Sequence, residues 1–192
     1  MEAFITISVS YLNEVLEFDA TQVGLIYIVV LVFITPGAFF GSWLAIKTSP
    51  LTAIKINCTA FIVVNFGAFL WLTEPGMLFE SLICGSFWGF LQGMYYALNK
   101  LIFSLVIPKG QETELAGFWR YSAHILEWAP PLVFAVMNER NVHLKWGGIS
   151  LNTFIFAGLT LFMLMQPWEE CLKLAETNKM KMKEDSANQQ SA

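Results

Sequence analysis

The sequence predicts an all-α membrane protein, and three observations carry that prediction. Hydrophobic residues make up 56% of the 192-residue chain and charged residues 14%, against roughly a quarter charged in an average soluble domain. Mean hydropathy is +0.56. Apolar runs long enough to cross a bilayer recur along the chain, with no support for strands. The connections between these runs alternate between acidic and basic or mixed, as expected of a chain threading back and forth through a membrane.

Taken in order, the segment 3–16 is apolar but carries Asn13 and Glu14 and falls short of the roughly 20 residues that a spanning helix needs. It reads as an interfacial piece or the tail of a helix. It has no basic stretch ahead of it and no small-residue cleavage pattern, which argues against a secretory signal peptide. Segment 23–46 is a long apolar helix in which Pro36, followed by Gly37, predicts a kink, because proline removes a backbone donor and crowds the preceding turn. Segment 51–72 holds Asn57 and Asn65, whose spacing puts them on roughly one face.

Segment 77–107 carries Gly85, Gly89 and Gly93, one stripe cleared of side chains where a neighbouring backbone can approach closely. Segment 115–137 contains Arg120, His124 and Glu127 and a second expected kink at Pro130-Pro131. The last helix covers 146–167. Residues 168–192 lose hydrophobicity and end in a lysine-rich stretch, which reads as a soluble tail.

The connection near 13–19 carries Glu14, Glu17 and Asp19 with no lysine or arginine, and that near 73–80 carries Glu74 and Glu80. Lys47 and Lys55 flank one alternate connection, Lys100, Lys109 and Arg120 the next, and the tail is basic. The positive-inside rule then puts the basic connections and the tail in the cytoplasm. Arg140 and Lys145, beside Glu139, run against this pattern.

Candidate functional residues are the polar ones that a bilayer would not tolerate on a lipid-facing surface. Gln92, Tyr96 and Asn99 recur at helical spacing next to the glycine stripe and, with Asn65, are the expected substrate-binding residues. Arg120, His124 and Glu127, at offsets of four and three, are expected on one helix face. A charge at the bilayer centre costs at least about 2.5–3.5 kcal/mol, so these groups are expected to line a cavity or pair across helices. A His124–Glu127 pair one turn apart suits proton coupling, while packing and hydrogen bonding between helices is the plainer role for the same residues.

Other classes fit poorly. No HExxH, GxSxG or phosphate-binding loop occurs, and Ser122 and His124 point apart on a helix, so no enzyme is indicated. Cys58, Cys84 and Cys171 are scattered, which argues against a disulfide framework or a metal site, and no cofactor is implied. No filter-like loop suggests a channel. Nothing points to nucleic acid.

The stretch 105–119, reading LVIPKGQETELAGFW, followed by Ser122 and then Trp128-Ala129-Pro130-Pro131-Leu132, resembles the family of autophagy-related vacuolar amino-acid effluxers of the major facilitator superfamily. Pro36-Gly37-Ala38 and Gly41 add to the likeness. The resemblance implies a carrier of neutral amino acids in the vacuole membrane, multi-pass, with a twelve-helix fold of which this chain is the C-terminal six-helix half. Such a half would need a second half or another copy of itself. An incomplete fragment of a carrier, or a membrane interaction subunit that does not transport, is the alternative. Leu115-Ala116 and Ala123-His124 depart from the family pattern, so the resemblance carries the fold and not a coupling mechanism.

Overall fold

A computed structural model describes residues 2–107, 112–125, 127–140, 144–164, 168–170, 173 and 177. The expected loop at 108–111, His143 and most of the tail lie outside them. The described residues form helices without strands: α1 (Glu2–Glu14), α2 (Ala20–Lys47), α3 (Pro50–Trp71), α4 (Leu78–Val106), α5 (Glu112–His124), α6 (Ala129–Glu139) and α7 (Leu144–Leu164).

Local chemistry sets several of the ends. The α2 start is held by the Asp19 backbone N–H donating to Gln22 Oε1 at 3.1 Å. Ser49 caps α3, its hydroxyl accepting from the Thr52 N–H at 3.1 Å, and Pro50 follows at the first helical position, where its missing donor costs nothing. Between α1 and α2, Glu17 adopts a positive φ of 54°. The Gly76 N–H, in the α3–α4 connection, donates to the Leu16 carbonyl at 3.3 Å. The two acidic connections therefore meet at one end of the bundle.

The tightest packing joins α2 to α4. A Cβ at Gly85, Gly89 or Gly93 would meet Ile26, Val30 and Ile34 in turn, and one at Gly37 or Gly41 would meet Phe90 and Met94. Contacts that advance together along both helices make them parallel. Gly37, Gly89 and Gly93 receive backbone from the other helix, so the middle of the seam is nearly free of side chains, while Gly85 meets the Ile26 and Val30 side chains and Gly41 the Met94 side chain at its ends. This explains why Gly37 follows Pro36: its Cβ would lie 2.0 Å from the Phe90 carbonyl oxygen. The expected disturbance at Pro36 does not interrupt α2, which is helical throughout.

Around that pair, α3 packs on α4 and α7, α6 packs on α7, and α1 touches α2, α6 and α7. Tyr11 of α1 donates its hydroxyl to the Leu72 carbonyl at the end of α3 and stands edge-on to Phe69, with ring centroids 4.8 Å apart. The Phe69 ring sits on Gly148 of α7, and Phe134 of α6 on Gly147. These residues belong to one apolar core with Leu16, Phe61 and Trp88. A second core, around Ala53, Ile54, Cys58, Met94, Leu98 and Leu159, fills the other end.

The distribution of polarity is the reverse of a soluble fold. Asn57 and Asn65 are 0% exposed, whereas Phe39 is 75%, Leu164 78% and Ile46 83% exposed. Such a surface suits hydrocarbon and not water. Among the described residues, Ala20–Lys47, Pro50–Trp71 and Trp146–Leu164 are long and apolar enough to cross a membrane. At 29 residues, α4 reaches about 43 Å, but Gln92, Asn99 and Lys100 dilute its apolar character.

One expected helix is corrected. The stretch 115–137 is not continuous: α5 ends at His124 and α6 begins at Ala129. Pro130 and Pro131 lie in the first turn of α6, where they start a helix and do not kink one. Two successive residues without N–H groups would leave two carbonyls of a continuous helix without donors and crowd both, which is enough to end it.

Candidate functional site

One face of α4 carries Gln92, Tyr96, Asn99 and Phe103 at offsets of four, seven and eleven. It flanks the glycine stripe that docks α2, so the close approach of α2 decides how far this face stays open. At its upper part Gln92, buried, donates from Nε2 to Tyr96 Oη at 3.1 Å. Gln92 also lines a crevice of about 20 Å³ with Ser8 and Leu12 of α1, Ile26 and Tyr27 of α2, and Trp88. That is room for about one water molecule. About 10 Å further along α4, Asn99 borders a hollow of about 240 Å³ with Lys100, Phe103, Ala116, Trp119 and Arg120. The expected residues Gln92, Tyr96 and Asn99 thus share one face of α4, a polar track with Gln92 at the crevice and Asn99 at the hollow.

Asn65 is elsewhere. Its Nδ2 donates to Asn152 Oδ1 at 2.7 Å across the α3–α7 interface, with both side chains buried. Asn57, on the same face of α3, is fully buried, and neither its Nδ2 nor its Oδ1 meets a partner among the described residues.

The ionisable set divides. Glu127 falls in the turn after α5 and not on its face, because the helix has ended. The chain curls back there, with the Glu127 N–H donating to the His124 carbonyl at 3.0 Å, and His124 Nδ1 contacts the Glu127 carboxylate. Trp128 Nε1 donates to the Ile125 carbonyl at 2.9 Å and helps hold the same turn. The pairing expected from helical spacing is therefore made by a turn. Arg120 stands with Asn99 and Lys100 at the α4–α5 hollow.

Sequence reasoning missed Asn152, Ser8, Tyr27 and Trp119. An asparagine inside the apolar run 146–167 was a signal for the first. Nothing local marks the others, because their roles depend on which helix lies opposite. Among the described residues no cluster of histidine, cysteine and carboxylate side chains is arranged to hold a metal ion.

The profile of the family described as "Vacuole effluxer Atg22 like" matches residues 1–169. The chain belongs to this family. The match takes in every helix from α1 to α7. As an Atg22-like protein, with an all-helical fold and helices suited to a bilayer, the chain is a membrane protein of a transporter family. Neither the curated proteins nor the solved structures contain a match to it.

Proposed function

We propose that this chain works as part of a major-facilitator-type carrier that moves neutral amino acids out of the vacuole after autophagy. The observation that carries the reading is the polar track on α4. In a bundle whose outer surface is apolar, Gln92, Tyr96 and Asn99 share a face beside a backbone-to-backbone seam. An α-amino acid offers a carboxylate and an ammonium group. Amide and phenol groups recognise these with both donors and acceptors while adding no charge of their own.

Around the track, α1, α2 and α4 line the inner crevice and α5 the outer hollow. These helices form the side on which a second six-helix body would pack, either a separate half or another copy, with the substrate held between them. The His124–Glu127 turn is the proton-linked element. It joins two short helices whose relative orientation can change without disturbing the α2–α4 seam. The basic end of the bundle, with Lys47, Lys55 and Lys100, faces the cytoplasm together with the tail.

The test is flux. The full chain, purified from its native membrane with whatever partner it retains, is reconstituted into vesicles loaded with radiolabelled leucine, and efflux is followed with and without a pH gradient. Gln92→Leu is expected to reduce initial efflux at least tenfold with little change in protein recovery. Efflux from native vesicles no faster than from protein-free liposomes would reject the carrier reading and favour a non-transporting membrane subunit.

A further inference from the structure

Two hollows between α4 and α5 share a wall. The larger, about 240 Å³, is bordered on its polar side by Asn99, Lys100 and Arg120. The other, about 140 Å³, is bordered by Val106, Leu115 and Phe118 and has no polar side chain among its described lining. Phe103 and Trp119 belong to both, their ring centroids 5.5 Å apart. Among the described residues no carboxylate lines either space.

These properties define a ligand. Two cations and an amide with no lining acid ask for an anion that accepts several hydrogen bonds. A free phosphate or an amino-acid carboxylate would satisfy them and leave the apolar hollow unused. A hydrocarbon chain alone would do the opposite. Only an amphiphile with an anionic head beside a hydrocarbon chain occupies both.

The position agrees. Because α2 and α4 are parallel and α3 returns between their ends, Lys100 lies at the same end of the bundle as Lys47 and Lys55. The acidic connections lie at the opposite end. A basic hollow at a bundle's basic end faces the leaflet side where anionic headgroups are attracted.

We propose that an anionic phospholipid binds between α4 and α5. Its phosphate lies against Lys100 and Arg120, with the Asn99 amide donating to a head-group oxygen. The upper part of one acyl chain passes Phe103 and Trp119 into the apolar hollow. The bound lipid acts as a filler that joins α5 to α4, a pair otherwise linked through the Phe103–Trp119 contact. The site shares Asn99 with the polar track but makes no use of the Gln92 crevice, and its test reads lipid quenching and not efflux, so it can fail separately from the transport reading.

Trp119 supplies the probe. The full chain is placed in phosphatidylcholine vesicles, and phosphatidylglycerol with brominated acyl chains is titrated in while tryptophan fluorescence is followed. Trp119→Phe identifies the share of quenching that comes from this site among the 7 tryptophans. Saturable quenching of that share is expected, at lower concentration than with brominated phosphatidylcholine. Lys100→Gln and Arg120→Gln should each weaken it about fivefold, and Lys100→Arg should restore it. Both cations are exposed, so their replacement leaves the apolar core intact.

Equal quenching by the zwitterionic lipid, or no effect of the two glutamine variants, would overturn the proposal. Displacement of the lipid by glycerol phosphate or by free leucine at comparable concentration would also overturn it, since either result would make the hollow a site for a small soluble anion or substrate.

Discussion

Gly93→Ala isolates the α2–α4 seam. A methyl group there would lie 1.9 Å from the Ile34 carbonyl oxygen, where ordinary contact begins at 3.4 Å. The obstacle is backbone on both sides, so no side chain can turn away, and α2 must retreat locally by about 1.5 Å. A gap of about 0.5–1 Å already forfeits a quarter to a half of each dispersion contact. Such a retreat would open the neighbouring contacts at Gly89, Gly37 and Gly41 as well. Overpacking of this kind costs about 1–3 kcal/mol, and a contact with backbone belongs at the upper end. Alanine's better helix propensity returns about 1 kcal/mol, leaving a net loss of about 1–2 kcal/mol.

Gly67→Ala is the matched control, because among the described residues nothing lies within 4 Å of its added methyl. It keeps the propensity gain without the clash and should be neutral or slightly stabilising. The assay is reversible unfolding in mixed micelles, followed by circular dichroism for both variants. The two substitutions should move the midpoint in opposite directions. If Gly93→Ala unfolds at the same midpoint as Gly67→Ala, the seam is not a close backbone contact and the argument from it fails.

Three further outcomes follow from the same structure. Asn65→Leu should destabilise by about 1–3 kcal/mol, because Asn152 keeps a buried amide without its partner. Asn65→Leu/Asn152→Leu should recover part of that loss in the same unfolding assay, with a coupling of about 0.6 kcal/mol and at most about 1.7. Pro130→Ala/Pro131→Ala should raise the helical circular dichroism signal as α5 and α6 join, and an unchanged spectrum would remove the prolines as the cause of the break. Glu127→Gln, which removes the carboxylate that His124 contacts, should flatten the pH dependence of efflux in reconstituted vesicles. Undiminished pH dependence would clear the pair of any part in coupling.

What the chain disclosed on reading and what it withheld divide along physical lines. The stripe of Gly85, Gly89 and Gly93 announced a close helix contact because the absence of side chains is a local property of one helix. It did not say that Gly37 and Gly41 would answer from α2. Asn65 was legible as an inward-facing amide, since lipid would not accept it, but Asn152 lies 87 residues further on and no spacing links the two. Pro130-Pro131 marked a disturbance in the right place. Whether such a pair kinks one helix or begins another depends on the turn before it, where His124 and Glu127 meet. Lys100 and Arg120 were legible as flanking one basic connection, but that they border one hollow depends on where α5 lies beside the end of α4, at the Phe103–Trp119 contact.

The α2–α4 seam has a mechanical consequence. Interfaces made of side chains can yield by exchanging rotamers, so that two helices slide or tilt in small steps. Where backbone meets glycine there are no rotamers to exchange, and displacement must break many close contacts at once. The two longest of the described helices, at 28 and 29 residues, therefore behave as one doubled beam, stiffer in bending than either alone. Strain applied at one end reaches the other with little loss, and compliance is left to the junction between the short helices α5 and α6.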